Sequence, residues 1–107
     1  MTEPLLSGTL EMLILKALTL GSMHRYGIAQ RIQQVSRDVL RIEEGSLYPA
    51  LQRLQMKSWV RSEWRKTPND RRARYYTIAA EGRKQLGEEI NSFDRVLVAT
   101  QGVLQTD

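Results

Sequence analysis

A mainly α-helical chain with one small antiparallel hairpin is the fold class this sequence predicts, and three observations carry it. Apolar residues recur at helical spacing in four separate stretches. Two short runs rich in Trp, Val, Tyr, Thr and Ile flank a Pro-Asn-Asp turn. The final stretch sets its apolar residues at alternating steps of four and three, a heptad spacing. At 107 residues the chain is one domain's worth, with no repeat and no linker. Residues 1–107 are therefore read as a single domain, with residues 80–107 as its C-terminal dimerisation helix.

The first helix is predicted over Ser7 to Leu20, with Leu10, Leu13, Ile14, Ala17 and Leu18 on one stripe. Leu5, Leu6, Met12 and Leu15 carry the apolar surface almost all the way round. Such a helix asks for burial on more than one side, which a small domain supplies poorly, so a partner surface is expected. Gly21-Ser22 ends it. A second helix is predicted from about Tyr26 to Ser36, burying Ile28, Ala29, Ile32 and Val35.

The third helix is the most informative. Leu47, Ala50, Leu51 and Leu54 fall at i, i+3, i+4 and i+7 and form its buried stripe. Turned away are Tyr48, Pro49, Gln52, Arg53 and Met56, with Lys57 on the flank. Proline is tolerated in a first turn, where backbone N–H groups lack intrahelical partners. Pro49 thus sets the start near Gly45 or Ser46, with Ser46 as the expected N-cap. Free N–H groups, a hydroxyl, a phenol and a guanidinium at a helix start suit phosphates and base edges. Ser46, Tyr48, Pro49, Gln52, Arg53 and Lys57 are therefore candidate DNA-binding residues.

Strands are predicted over Trp59–Trp64 and Arg74–Ile78, joined by Lys66–Arg72 with Pro68 and Asn69-Asp70 at the tip. Arg71, Arg72 and Arg74 flank that tip and complete the candidate DNA-binding set. The last helix runs from near Ala80 towards Gln105, with Leu86, Ile90, Phe93, Leu97 and Leu104 as the heptad stripe. Three helices, a hairpin and a final helix is the order of a winged helix-turn-helix with a C-terminal extension.

Charge points the same way. The chain carries a net charge of +4, yet Arg41 to Arg74 alone holds nine basic residues against four acids. That concentration favours a polyanionic partner. The absence of cysteine excludes a disulfide framework and thiolate chemistry. The longest apolar stretch, Leu10 to Leu20, is interrupted by Glu11 and Lys16 and is too short for a bilayer. The N-terminus lacks the basic start and cleavage site of a signal peptide, so a cytoplasmic protein is expected. No glycine-rich phosphate loop occurs and no base is paired with a hydroxyl nucleophile, which argues against an enzyme. No cofactor is expected. His24 is the lone histidine and reads as a surface or capping residue rather than a metal ligand.

Gly45-Ser46-Leu47-Tyr48-Pro49-Ala50-Leu51, followed by Arg53-Leu54, resembles the PadR family of bacterial transcriptional regulators. Tyr26-Gly27-Ile28, Trp59-Val60, Ser62-Glu63-Trp64 and Arg74-Tyr75-Tyr76 before Gly82 support it, in order and at the right intervals. The resemblance spans Gly8 to about Leu86 and is closest to the smaller subtype with a short C-terminal helix. It implies a homodimeric winged-helix DNA-binding protein, usually a repressor, often released from DNA by a small molecule. Carried over, the recognition-helix contacts fall on Ser46, Tyr48, Pro49 and Arg53, and the wing contacts on Arg71, Arg72 and Arg74. Three positions depart from the family pattern. Arg25 replaces a small residue, Ser58 a glycine after the recognition helix, and Ala79 a threonine at the start of the last helix.

The leading reading is a homodimer binding double-stranded DNA at a pseudo-palindromic operator, with half-sites roughly 34 Å apart. A possible small-molecule effector is placed at the dimer interface, between the first and last helices. A winged helix used for protein–protein interaction without DNA binding is the alternative. Blander roles stand beside the specific ones. Tyr48 can lie over a hydrophobic edge, Arg53 can pair with a neighbouring acid, and the wing bases can be an ordinary charged tip. Trp59 and Trp64 are expected to pack the wing on the helices, and at least one of Tyr75 and Tyr76 is expected in the core.

Overall fold

The structure, a computed structural model, describes residues 7–107 and is built around α1 (Ser7–Leu18). After it come β1 (Met23–His24), α2 (Arg25–Val35), α3 (Glu44–Met56), β2 (Val60–Lys66), β3 (Arg72–Ile78) and α4 (Ala80–Leu104). α1 packs against α2, α3, α4 and β3 at once. Leu10, Ile14, Leu15, Ala17 and Leu18 are consequently all buried. The all-round apolar surface of α1 is thus largely absorbed within one chain. Its central position covers most of that surface among the described residues, with Met12 and Leu13 left half-buried. Leu5 and Leu6 lie outside the described residues.

α1 ends two residues before the expected Leu20, which is exposed beyond it. Gly21 takes φ +143°, a conformation L side chains rarely adopt, and turns the chain into β1. α2 begins under a cap from His24, whose Nδ1 accepts the Gly27 N–H at 3.1 Å. The capping reading of the lone histidine is therefore what the structure contains. α2 buries Ile28 and Ile32, but Val35 is exposed rather than core, because the helix stops there and turns away.

α3 starts earlier than expected. Its first residue is Glu44 and its N-cap is Glu43, which caps through backbone geometry alone. Ser46 is therefore not the cap but a first-turn residue, whose N–H bonds the Glu43 carbonyl at 3.0 Å. Pro49 sits inside the helix, past the first turn. The carbonyl left without its proline N–H partner belongs to exposed Gly45, where water can satisfy it. The buried stripe is as read, with Leu47, Ala50, Leu51 and Leu54 all shielded.

The strands form one antiparallel sheet in the order β1-β3-β2. β1 is missing from the sequence reading because two residues have no periodicity to detect. β2 and β3 run to Lys66 and from Arg72, so the hairpin is longer than the predicted strands. Its register pairs Val60 with Ile78, Ser62 with Tyr76, Trp64 with Arg74 and Lys66 with Arg72. These eight residues share one face, since side chains alternate along a strand. At its root the face is core, with Val60, Tyr76 and Ile78 buried. At its tip the same face is cationic and exposed.

α4 starts at Ala80 behind the N-cap Ala79, which makes no side-chain bond, as the missing threonine implies. Gly82 lets its first turn approach the wing root, where an added Cβ would stand 2.2 Å from the Trp59 carbonyl oxygen. Leu86 is buried and Ile90 half-buried, but residues 91–104 are all exposed. Phe93, Leu97 and Leu104 of the heptad stripe thus have no cover among the described residues.

Candidate DNA-binding surface

At about 100° per residue, the exposed side of α3 divides into a centre and two flanks. Gly45, Pro49, Gln52 and Met56 lie opposite the buried stripe, and all four are exposed. Tyr48 and Gln55 fall on the flank towards the hairpin, Ser46, Arg53 and Lys57 on the flank towards α1. Contacts on each side agree. Gln55 Nε2 donates to Ser62 Oγ on β2 at 2.7 Å. Arg53 Nε donates to Glu11 Oε1 on α1 at 3.3 Å, and Lys57 Nζ stands 3.5 Å from the same oxygen.

Arg53 and Lys57 are therefore drawn to a half-buried carboxylate, and Lys57 also lies over the Trp59 ring at 4.6 Å. Tyr48 remains 42% exposed. Tyr76 is buried on β3, and burial pushes its hydroxyl above its ordinary range. Arg74 and Arg25 pull that value down and Tyr48 raises it.

The wing holds its cations in three ways. Arg65 and Lys66 are paired with Glu63 and Asp70. Arg74 donates from Nε to Ser62 Oγ at 2.8 Å and, like Arg72, lies beside the Trp64 ring. Arg71 belongs to the tip, where Thr67 N–H donates to the Arg71 carbonyl and Asp70 adopts φ 59°. Arg71, Arg72 and Arg74 have no ion-pair partner among the described residues. Trp59 packs against the core as expected, but Trp64 does not. It is 57% exposed, because its face of the hairpin has already left the core at that register.

Ser46, Tyr48, Pro49 and Gln52 thus form one exposed patch on α3, with Arg71, Arg72 and Arg74 on the adjoining hairpin. Arg53 and Lys57 lie at its α1 border. Two features escaped the sequence reading. Glu11 interrupts an apolar helix, which marks it as a residue with a polar task, but its partners are distant in sequence. Arg25, noted in the sequence only as a departure from the family pattern, is the exposed first residue of α2 and lies over the Tyr26 ring at 5.4 Å. Among the described residues no group of acids and histidines has the arrangement of a metal site. No described helix is long and apolar enough to cross a membrane.

Four helices and a three-stranded antiparallel sheet, with the third helix exposed beside a basic hairpin, define a winged helix-turn-helix protein. Residues 14–88 match the transcriptional regulator PadR-like family, and the chain belongs to that family. It is 40% identical over 86 residues to an uncharacterized 37.1 kDa protein in transposon Tn4556 of Streptomyces fradiae. That match covers 80% of this chain but only 23% of the relative's length. Among solved structures, a PadR family transcriptional regulator from Eggerthella lenta superposes with a TM-score of 0.81 at 26% identity. The superposition covers 94% of this chain and 85% of that one. A transcriptional regulator from Clostridium thermocellum, 24% identical, has the same fold, with a TM-score of 0.82 over 89% of this chain and 92% of its own.

Proposed function

We propose that this PadR-like regulator is a cytoplasmic, homodimeric, sequence-specific DNA-binding repressor whose hold on DNA is released by a small molecule. The observation that carries the reading is the exposed surface from Ser46, Tyr48, Pro49 and Gln52 to the wing arginines, which have no ion-pair partner among the described residues. The α3 patch enters the major groove and reads base edges, while the wing takes backbone phosphates and the adjoining minor groove. Arg25 adds a phosphate contact at the start of α2. Arg53 and Lys57 contribute where a phosphate draws them off Glu11.

The exposed stripe of α4, Phe93, Leu97 and Leu104, supports pairing with a second copy. Residues 80–107 act as the dimerisation helix, and the two-fold axis sets half-sites roughly 34 Å apart in a pseudo-palindromic operator. The effector sits at that interface, between α1 and α4. An apolar groove of about 260 Å³ between α1 and α2, lined by Leu13, Ala17, Ile32, Val35 and Leu40, adds apolar surface on α1. A releasing ligand seated solely on the wing would remove this placement. Light scattering that returns the 12.3 kDa protomer mass at micromolar concentration would remove the dimer.

Fluorescence anisotropy with the protein's own upstream DNA, against a scrambled duplex at matched salt, tests the central reading. A preference of about a hundredfold or more is expected of a specific reader. Affinity should fall by about 10³–10⁵ between 50 and 200 mM salt if a dimer makes about 6–10 phosphate contacts. Equal, salt-labile binding to both duplexes would refute recognition of that upstream site.

A further inference from the structure

Trp64 is the largest side chain on the wing, and its exposure is not what an indole in a small domain ordinarily shows. It faces Arg74 directly across the strands, and Arg72 is its diagonal neighbour on the same face. Their guanidinium carbons stand 5.8 and 5.7 Å from ring centroids of this one residue. That spacing suits cation–π attraction, and a guanidinium gives up little hydration to make it. The stack is also tied to the recognition helix. Gln55 of α3 donates to Ser62, and Arg74 donates its Nε–H to the same oxygen. Only one of the five guanidinium N–H donors of Arg74 is used in that bond, so its outer edge remains available for a bidentate phosphate contact. No carboxylate is paired with either arginine among the described residues.

We propose that Trp64 is the positioning residue of the wing: it holds Arg72 and Arg74 side by side as a pre-ordered pair for two phosphates of the duplex backbone. The indole need not touch DNA to act. It removes rotamer freedom that two long side chains would otherwise lose on binding. The inference rests on the DNA-binding reading above and adds to it a residue that charge counting overlooks.

The test uses the full chain and its upstream duplex, with anisotropy titrations over a range of salt. Trp64→Ala is expected to lose about tenfold in affinity. Its salt slope should flatten by part of the about 1.8 per protomer that two phosphates contribute, because the arginines remain but are no longer held in place. Trp64→Thr, which keeps strand propensity, should behave alike and guards against a folding defect in the alanine variant. Trp64→Phe, which restores a ring, should recover the slope. In an Arg72→Ala, Arg74→Ala background, Trp64→Ala should change nothing further. An unchanged slope in folded Trp64→Ala and Trp64→Thr, or a loss additive to that of the two arginines, would overturn the positioning role. Wild-type protein showing no salt-dependent binding to any duplex would instead bring down the DNA-binding reading, and the stack with it.

Discussion

Two cationic flanks border the exposed face of α3, and they differ in what holds their charge. On the α1 side, Arg53 and Lys57 share the single carboxylate of Glu11. On the wing, Arg72 and Arg74 have no carboxylate among the described residues and lie against an indole. In sequence all four are simply positive residues near the same motif. The difference teaches that basic charge counted along a chain is not charge available to a polyanion. A phosphate must compete with Glu11 for the first pair, but it meets the second pair already presented.

Gly82→Ala should break the comparison most severely, because it attacks the wing root on which the second flank depends. The new Cβ would meet the Trp59 carbonyl, a backbone atom that cannot swing away. A loss of about 3 kcal/mol is expected in urea titration. Gly102→Ala, on the same helix with nothing within 4 Å, is the control and should be neutral or mildly stabilising. Next in size, Arg72→Ala with Arg74→Ala should weaken binding to the upstream duplex by about a hundredfold, as for two lost charge-assisted contacts. Arg53→Ala should cost less in the same titration, and a larger loss there would reverse the ranking of the flanks.

Ser58→Gly tests the joint between the flanks. Ser58 holds φ 64° and closes α3 through its N–H to the Gln55 carbonyl at 2.9 Å. The helix therefore ends as a glycine would end it, with the strain carried by a serine. Relieving it should stabilise the fold by about 1 kcal/mol and raise Tm by about 4–8 °C in a circular dichroism melt. The smallest effect is expected from Glu11→Gln. Both partner cations are well exposed, so the stability cost should stay below about 1 kcal/mol. Affinity for a scrambled duplex should nevertheless rise, since Arg53 and Lys57 lose their competitor. Unchanged affinity would mean that this flank does not reach DNA.

Much of the scaffold was legible in the chain. The Leu47, Ala50, Leu51, Leu54 stripe is buried, Tyr76 is the core tyrosine and His24 caps a helix. Each follows from spacing or from a residue's behaviour at a helix end. The structure starts α3 before the position Pro49 suggests, because a proline tolerated by an exposed glycine carbonyl looks, in sequence, like a first-turn proline. α1 looked short of cover because periodicity reports which faces are apolar, not how many neighbours will meet them. The sequence reads Trp64 as packing because a strand's alternation does not say where along its length the core ends.

By itself, the sequence determined four amphipathic helices, the hairpin, the family motif and the basic segment that carries the candidate contacts. These are local properties, set by periods of 3.6 and 2 and by turn chemistry within a few residues. Only the tertiary structure decided which of the cations are held by acids and which stand ready. Glu11 and Arg53 are 42 residues apart in the chain, and Gln55, Ser62 and Arg74 come from three elements. Coulombic and hydrogen-bonding partners are chosen by distance in space, which folding creates and residue spacing does not encode.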